Sequence, residues 1–235
     1  MPLHDGKVDV VLQTTLRPLT TAVLAFILFY CIDFVLRNYL NVFPKSGDCN
    51  AFTRLRNYML STIHALSSGM SAFGCLVLCQ RLTDDIIAAE NEYAYHILGF
   101  STGYFVHDIY HNICGGLCFR SSEIILHHIA VRFRKMPIDL EMIQVVTCFS
   151  IVMTYRLLLP YALFGLLMEL NSIFLHGRQI MLYLDISPES FWYRMNYKAN
   201  IGKFTNVSRS VSKALCIFAF FIAVTKLSRI VIATT

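Results

Sequence analysis

The chain has 235 residues, of which 56% are hydrophobic and only 15% charged, and its mean hydropathy is +0.55. A soluble domain carries about a quarter of its residues as charges, so this composition points to one helical membrane domain and leaves no room for a large soluble module. The net charge of +5 is modest, and no phosphate-cradling glycine loop, nucleophile elbow or basic-aromatic array for nucleic acid accompanies it.

The first apolar run covers residues 20–40, after an N-terminal segment of residues 1–19. It is too long for a signal-peptide core and lacks a small-residue cleavage site, so it reads as a retained span with Asp33 inside it. A second span, residues 58–79, is rich in Ser, Gly and Ala, which permit close helix approach and offer a face for a second copy or another membrane protein. A third, residues 95–117, carries Gly99, Gly103, His107, Asp108 and His111. The short run 124–131 holds His127 and His128 and cannot span alone. Residues 143–181 are almost continuously apolar, but Tyr155, Arg156 and Pro160 divide them into two short or tilted spans. A last span covers residues 214–232. The expectation is an all-α, multi-pass transmembrane bundle of about six spans.

Charge sets the orientation. Lys45, Arg54 and Arg56 follow the first span, Arg120, Arg132, Arg134 and Lys135 the third, and Arg194, Lys198, Lys203 and Arg209 precede the last. The loop after the second span is acidic, with Asp84, Asp85, Glu90 and Glu92. Lys/Arg excess marks the cytoplasmic side, so the basic loops lie there, against anionic headgroups. The sequon Asn206-Val207-Ser208 then faces the cytoplasm, unglycosylated. The eight cysteines fall mostly in apolar runs, form no C-x-x-C pair, and read as small packing residues.

Ionisable groups inside apolar spans are costly and persist where they pair, line a cavity or do chemistry. His107 and His111 are four apart and share a helical face, and Asp108 neighbours His111, so Asp108 is expected to orient it. Glu123 and His127 can pair in the same way, with His128 about 100° away around the helix. An imidazole suits proton transfer near neutral pH. Glu169 sits deep in an apolar run beside Asn171 and Ser172, with a histidine of the third span or of the His127–His128 segment as its expected partner, and Arg178 is expected to snorkel to the cytoplasmic face. Each cluster has a plain alternative, a polar clamp that fixes helix packing. A di-iron site is disfavoured: position 124 is Ile where a second histidine box needs His, and the eight histidines form no further box. No metal or cofactor is expected.

Five stretches, in order, carry a family resemblance: Asn57 with Ser61-Thr-Ile-His64-Ala-Leu-Ser-Ser-Gly69; Gly103-Tyr-Phe-Val-His107-Asp108; Glu123-Ile-Ile-Leu-His127-His128; Glu169-Leu-Asn171 through Arg178; and Tyr193-Arg194-Met-Asn196-Tyr-Lys198. Together the sequence resembles the TLC family, which includes translocating-chain-associating proteins and ceramide synthases, and within it the small type 1/type 2 subgroup. The resemblance implies a TLC-like membrane domain over residues 54–232 that acts on or senses membrane lipids, in the plasma membrane or endoplasmic reticulum. It implies regulation of phospholipid acyl-chain composition and fluidity. The alternative is ceramide-synthase-like acyl transfer from acyl-CoA, with His127 or His128 as general base, Asp108 orienting, and His107, His111, Glu123, Glu169, Asn171 and Arg178 meeting the lipid or its headgroup. A third reading is an accessory subunit of a channel or translocon. The chain departs from the family in a basic stretch, residues 130–139, and in a short C-terminus.

Overall fold

The computed structural model describes residues 5–40, 49–114 and 140–201. The regions holding Glu123, His127, His128 and the last apolar run lie outside the described residues. The described residues are helical, with no strand among them. They form α1 (Asp5–Leu40), α2 (Cys49–Leu78), the short α3 (Arg81–Asp84), α4 (Glu92–Cys114), α5 (Leu140–Tyr155), α6 (Leu159–Leu167), α7 (Glu169–Tyr183) and α8 (Phe191–Ile201).

Among the described residues, three stretches are long and apolar enough to cross a membrane: Leu16–Tyr39, Phe52–Leu78 and Leu159–Tyr183, the last made of α6 and α7 in succession; Met142–Tyr155 is apolar but shorter. The 23 residues of α4 span about 35 Å, enough for a hydrocarbon core of about 30 Å. Its composition is more polar, and the reason is its position. Ser101, Thr102, His107, Asp108 and His111 of α4 are all buried, while Val23, Leu24, Ile27 and Phe34 of α1 and Leu66, Met70, Phe73 and Val77 of α2 are exposed. A helix that keeps its polar groups inside a bundle whose outer faces are apolar matches a lipid solvent.

Backbone contact fixes the α1–α4 pairing. A Cβ on Gly99 would strike the Pro18 carbonyl oxygen, and one on Gly103 the Ala22 carbonyl oxygen. Gly99 and Gly103 form the small-xxx-small spacing that lets membrane helices approach closely. Residues advance together along the pair, so α1 and α4 run parallel. Helix α2 packs on α7 the other way round: Gly69 meets Leu170, Tyr58 meets His176, and the Arg54 Nε donates to the Tyr183 hydroxyl at 2.6 Å. Phe29, Leu60, Tyr95, Leu98, Met153, Leu163 and Leu166 fill the core between them.

The break expected at Tyr155–Pro160 is present. Arg156 and Leu158 adopt positive φ (52° and 63°), and Pro160 stands in the first turn of α6, where its missing N–H costs nothing. This turn docks on the acidic loop. The Leu158 N–H donates to the Ile87 carbonyl at 2.9 Å, and Arg156 pairs with Glu90 at 3.0 Å and Glu92 at 2.6 Å while covering the Tyr95 ring at 4.4 Å. One end of the bundle therefore gathers the acidic loop and the turn; the other gathers Arg37, Arg54 and Arg56.

Candidate functional site

Two polar clusters flank α4 inside the bundle. The first joins three helices near the basic end. Asp33 of α1 lies six residues before Tyr39, the end of its apolar stretch, about 9 Å inside it. Its Oδ1 is 2.5 Å from the Arg56 Nε of α2, and both side chains are about nine-tenths buried. The Arg56 Nη2 is 2.6 Å from the His111 Nε2 of α4. A guanidinium only donates, so Nε2 of His111 is the acceptor and its imidazole carries the proton on Nδ1. Arg37 approaches the other oxygen of Asp33 at 3.9 Å. The His107 ring lies 6.2 Å from that of His111 and against Phe26 and Phe29.

This differs from the sequence expectation. His107 and His111 do share a face, but His111 is oriented by Arg56 rather than by Asp108, because its ring points toward α1 and α2. The Asp108 Oδ2 instead accepts from the Asn112 amide at 3.4 Å.

The second cluster lies between α2, α4 and α7. The Ser61 and Tyr104 hydroxyls are 2.8 Å apart. Tyr104 stands within electrostatic range of both Asp108 and Glu169. Glu169 accepts from the Ser172 hydroxyl and lies within electrostatic range of Asp108. Among the described residues the hydrogen bond to Glu169 comes from a hydroxyl on its own helix, and the His127–His128 segment, one expected source of a histidine partner, lies outside them. His64 is fully buried; its ring stacks on Tyr104 at 4.0 Å and 11°, with Phe29, Phe100 and Phe105 around it. Both of its nitrogens are buried, with no hydrogen-bond partner among the described residues.

Of the nine residues singled out from sequence, the structure gathers His107, His111, Asp108 and Glu169 around α4. Asn171 and Arg178 lie half-buried on α7, and the Arg178 Nε is enclosed, so this side chain is less free than snorkelling implies. Glu123, His127 and His128 lie outside the described residues. Sequence reasoning missed Arg56, placed in a loop, and gave His64 and Tyr104 no role beyond the stretches that carry the resemblance. Asp33 was the available signal for Arg56: a carboxylate inside a span demands a cation, and beside Arg37 on its own helix the next arginines, Arg54 and Arg56, open the following one. Among the described residues no group of three or more His, Cys, Asp or Glu side chains is placed to hold a metal ion. A shallow groove of about 590 Å³ opens on the outer surface near the other end of α2, lined by Met70, Ser71, Gly74, Cys75, Asn91 and Tyr93, away from both clusters.

The sequence is 28% identical to TLC domain-containing protein 2 of Danio rerio over 68% of this chain and 59% of that protein. It is 27% identical to TLC domain-containing protein 2 of Mus musculus over 63% and 43%, and 24% identical to TLC domain-containing protein 1 of Homo sapiens over 63% and 54%. These likenesses support the TLC family, type 1/type 2 subgroup. The chain spans about half the length of the curated relatives it matches. No family model and no solved structure matches it. An all-helical membrane protein with TLC relatives is what helices and comparisons establish together.

Proposed function

We propose that this protein regulates the acyl-chain composition of membrane phospholipids, and through it membrane fluidity. The observation that carries the reading is the inverted build of the bundle. Apolar side chains of α1 and α2 face outward, while Asp33, Arg56 and His111 are tied to one another inside. Such a body meets lipid along α1 and α2 and holds these polar groups in mutual contacts. The likeness to the small TLC proteins supports the same reading.

The second reading, lipid acyl transfer, has its own observation: the carboxyl groups of Asp108 and Glu169 lie within electrostatic range of each other and of Tyr104, which meets the Ser61 hydroxyl. Close carboxylates are a common feature of sites that move protons. In that reading His127 or His128 takes the proton from an amine or hydroxyl as that group attacks an acyl-CoA thioester; the carbon–sulfur bond breaks, and the proton passes on to the departing CoA thiolate.

The test is lipid profiling of cells lacking the protein, rescued with wild type or with His127→Ala/His128→Ala at matched expression. Restoration by both versions supports regulation without histidine chemistry. Restoration by wild type alone moves the weight to acyl transfer, since a general base contributes about 10²–10⁴-fold to rate. An unchanged lipid profile in every arm refutes both.

A further inference from the structure

Helix α8 follows the membrane-spanning Leu159–Tyr183 after a seven-residue turn, residues 184–190. Ser190 starts it: its carbonyl accepts from the Arg194 N–H at 3.1 Å and its hydroxyl from the Tyr193 N–H at 3.2 Å, an N-cap. The helix packs on α7 through Tyr193 and Asn196, which are half-buried, and Asn196 reaches to 3.1 Å of the Cβ position of Gly177. This contact fixes which way the remaining faces point.

Phe191, Trp192 and Met195 fall within about 100° of one another around the helix. They are 68%, 68% and 51% exposed. Arg194 and Lys198 stand next to this arc, both exposed. An apolar face bordered by basic side chains, in a short helix beside the end of a span, is the composition of a helix that lies in the interface plane. Aromatic rings are favoured at headgroup depth. The end of the bundle is also right: Tyr183 closes α7 against Arg54, where Arg37 and Arg56 cluster.

We infer that α8 lies along the membrane surface at the basic end of the bundle, with Phe191, Trp192 and Met195 among the upper acyl segments and Arg194 and Lys198 on anionic phospholipid headgroups. The inference rests on the membrane reading of the bundle and is independent of whether the protein transfers acyl groups. Because α8 is seated on α7 at Gly177, the headgroup charge of the leaflet bears on the helix that carries Glu169 of the second polar cluster.

Trp192 is the single tryptophan of the chain, so its emission reports on α8 alone. The full chain is placed in nanodiscs of phosphatidylcholine, with or without phosphatidylserine, and with bromine near the glycerol end or near the chain terminus of the lipid. The expected result is blue-shifted emission quenched more by the shallow bromines, with quenching raised by phosphatidylserine. That rise should vanish at high salt and in Arg194→Gln/Lys198→Gln, since each basic side chain favours an anionic surface by roughly fivefold. The shallow quenching in phosphatidylcholine should survive both changes, showing that α8 is still folded. Emission that neither bromine position quenches overturns the inference: red-shifted light then places Trp192 in water, and blue-shifted light places it against protein. Quenching that ignores phosphatidylserine overturns it too.

Discussion

Replacing Arg56 with Met isolates the cost of an intramembrane carboxylate. In the wild type, the Asp33 Oδ1 lies 2.5 Å from the Arg56 Nε, with both side chains about nine-tenths buried, and Arg56 also satisfies His111 at 2.6 Å. Removing one member of a buried ion pair strands the other charge and costs about 3–5 kcal/mol. At about 2–4 °C per kcal/mol for a chain of this size, Arg56→Met should lower the melting midpoint by about 6–20 °C. Asp33→Asn/Arg56→Met removes both charges. His111 lies 3.9 Å from Asp33 through Nε2 and can change tautomer to donate to the amide oxygen that Asp33→Asn introduces. The double variant should therefore recover most of the loss. The assay is thermal unfolding of detergent-solubilised protein, followed by size-exclusion fluorescence. A single variant within about 1 °C of wild type, or a double variant no better than the single, would refute the idea that this pair holds α1, α2 and α4 together.

Gly103→Ala should cost about 1–3 kcal/mol in the same assay, because its new methyl meets the Ala22 backbone rather than a side chain that can turn away. Gly74→Ala is the control: nothing lies within 4 Å of its Cβ position, and the helix propensity gain of up to about 1 kcal/mol should appear as a small rise. His64→Phe should leave the midpoint unchanged or raise it by about 1 kcal/mol, since two buried nitrogens without partners disappear and the ring stack on Tyr104 persists. A fall of more than about 2 kcal/mol would mean that the imidazole has a polar partner in the membrane. In the acidic loop, the Asp85 carboxylate accepts from the Ala88 and Ile87 N–H groups, which hold its pKa below the ordinary carboxylate value. A depressed folded pKa gives order that is complete above the unfolded pKa and lost as pH falls through the folded one. Amide exchange at Ala88, referenced to the intrinsic rate, should therefore lose protection below the usual carboxylate range, and Asp85→Asn should flatten that dependence.

How much was legible in the chain depended on the reach of each signal. The break at Tyr155–Pro160 was readable because proline and a charge act on their own backbone within a turn. The shared face of His107 and His111 was readable because helix periodicity is local. Orientation of His111 was not. Its partner comes from Arg56, 55 residues away along the chain, and no pattern along α4 distinguishes that partner from the neighbouring Asp108. Tyr104 was no more legible: it meets Ser61, 43 residues away along the chain.

Composition and hydropathy by themselves determined that the chain is a membrane protein of helices, because lipid leaves no other way to satisfy a spanning backbone short of a closed barrel. They also determined that the ionisable groups had to turn inward. The tertiary structure decided with whom they pair. Gly99 and Gly103 set α1 against α4 at backbone distance, Gly69 set α2 against α7, and these close approaches brought Asp33 to Arg56 and His64 to Tyr104. Helix periodicity says which face a residue occupies; only packing between helices says which other face it meets.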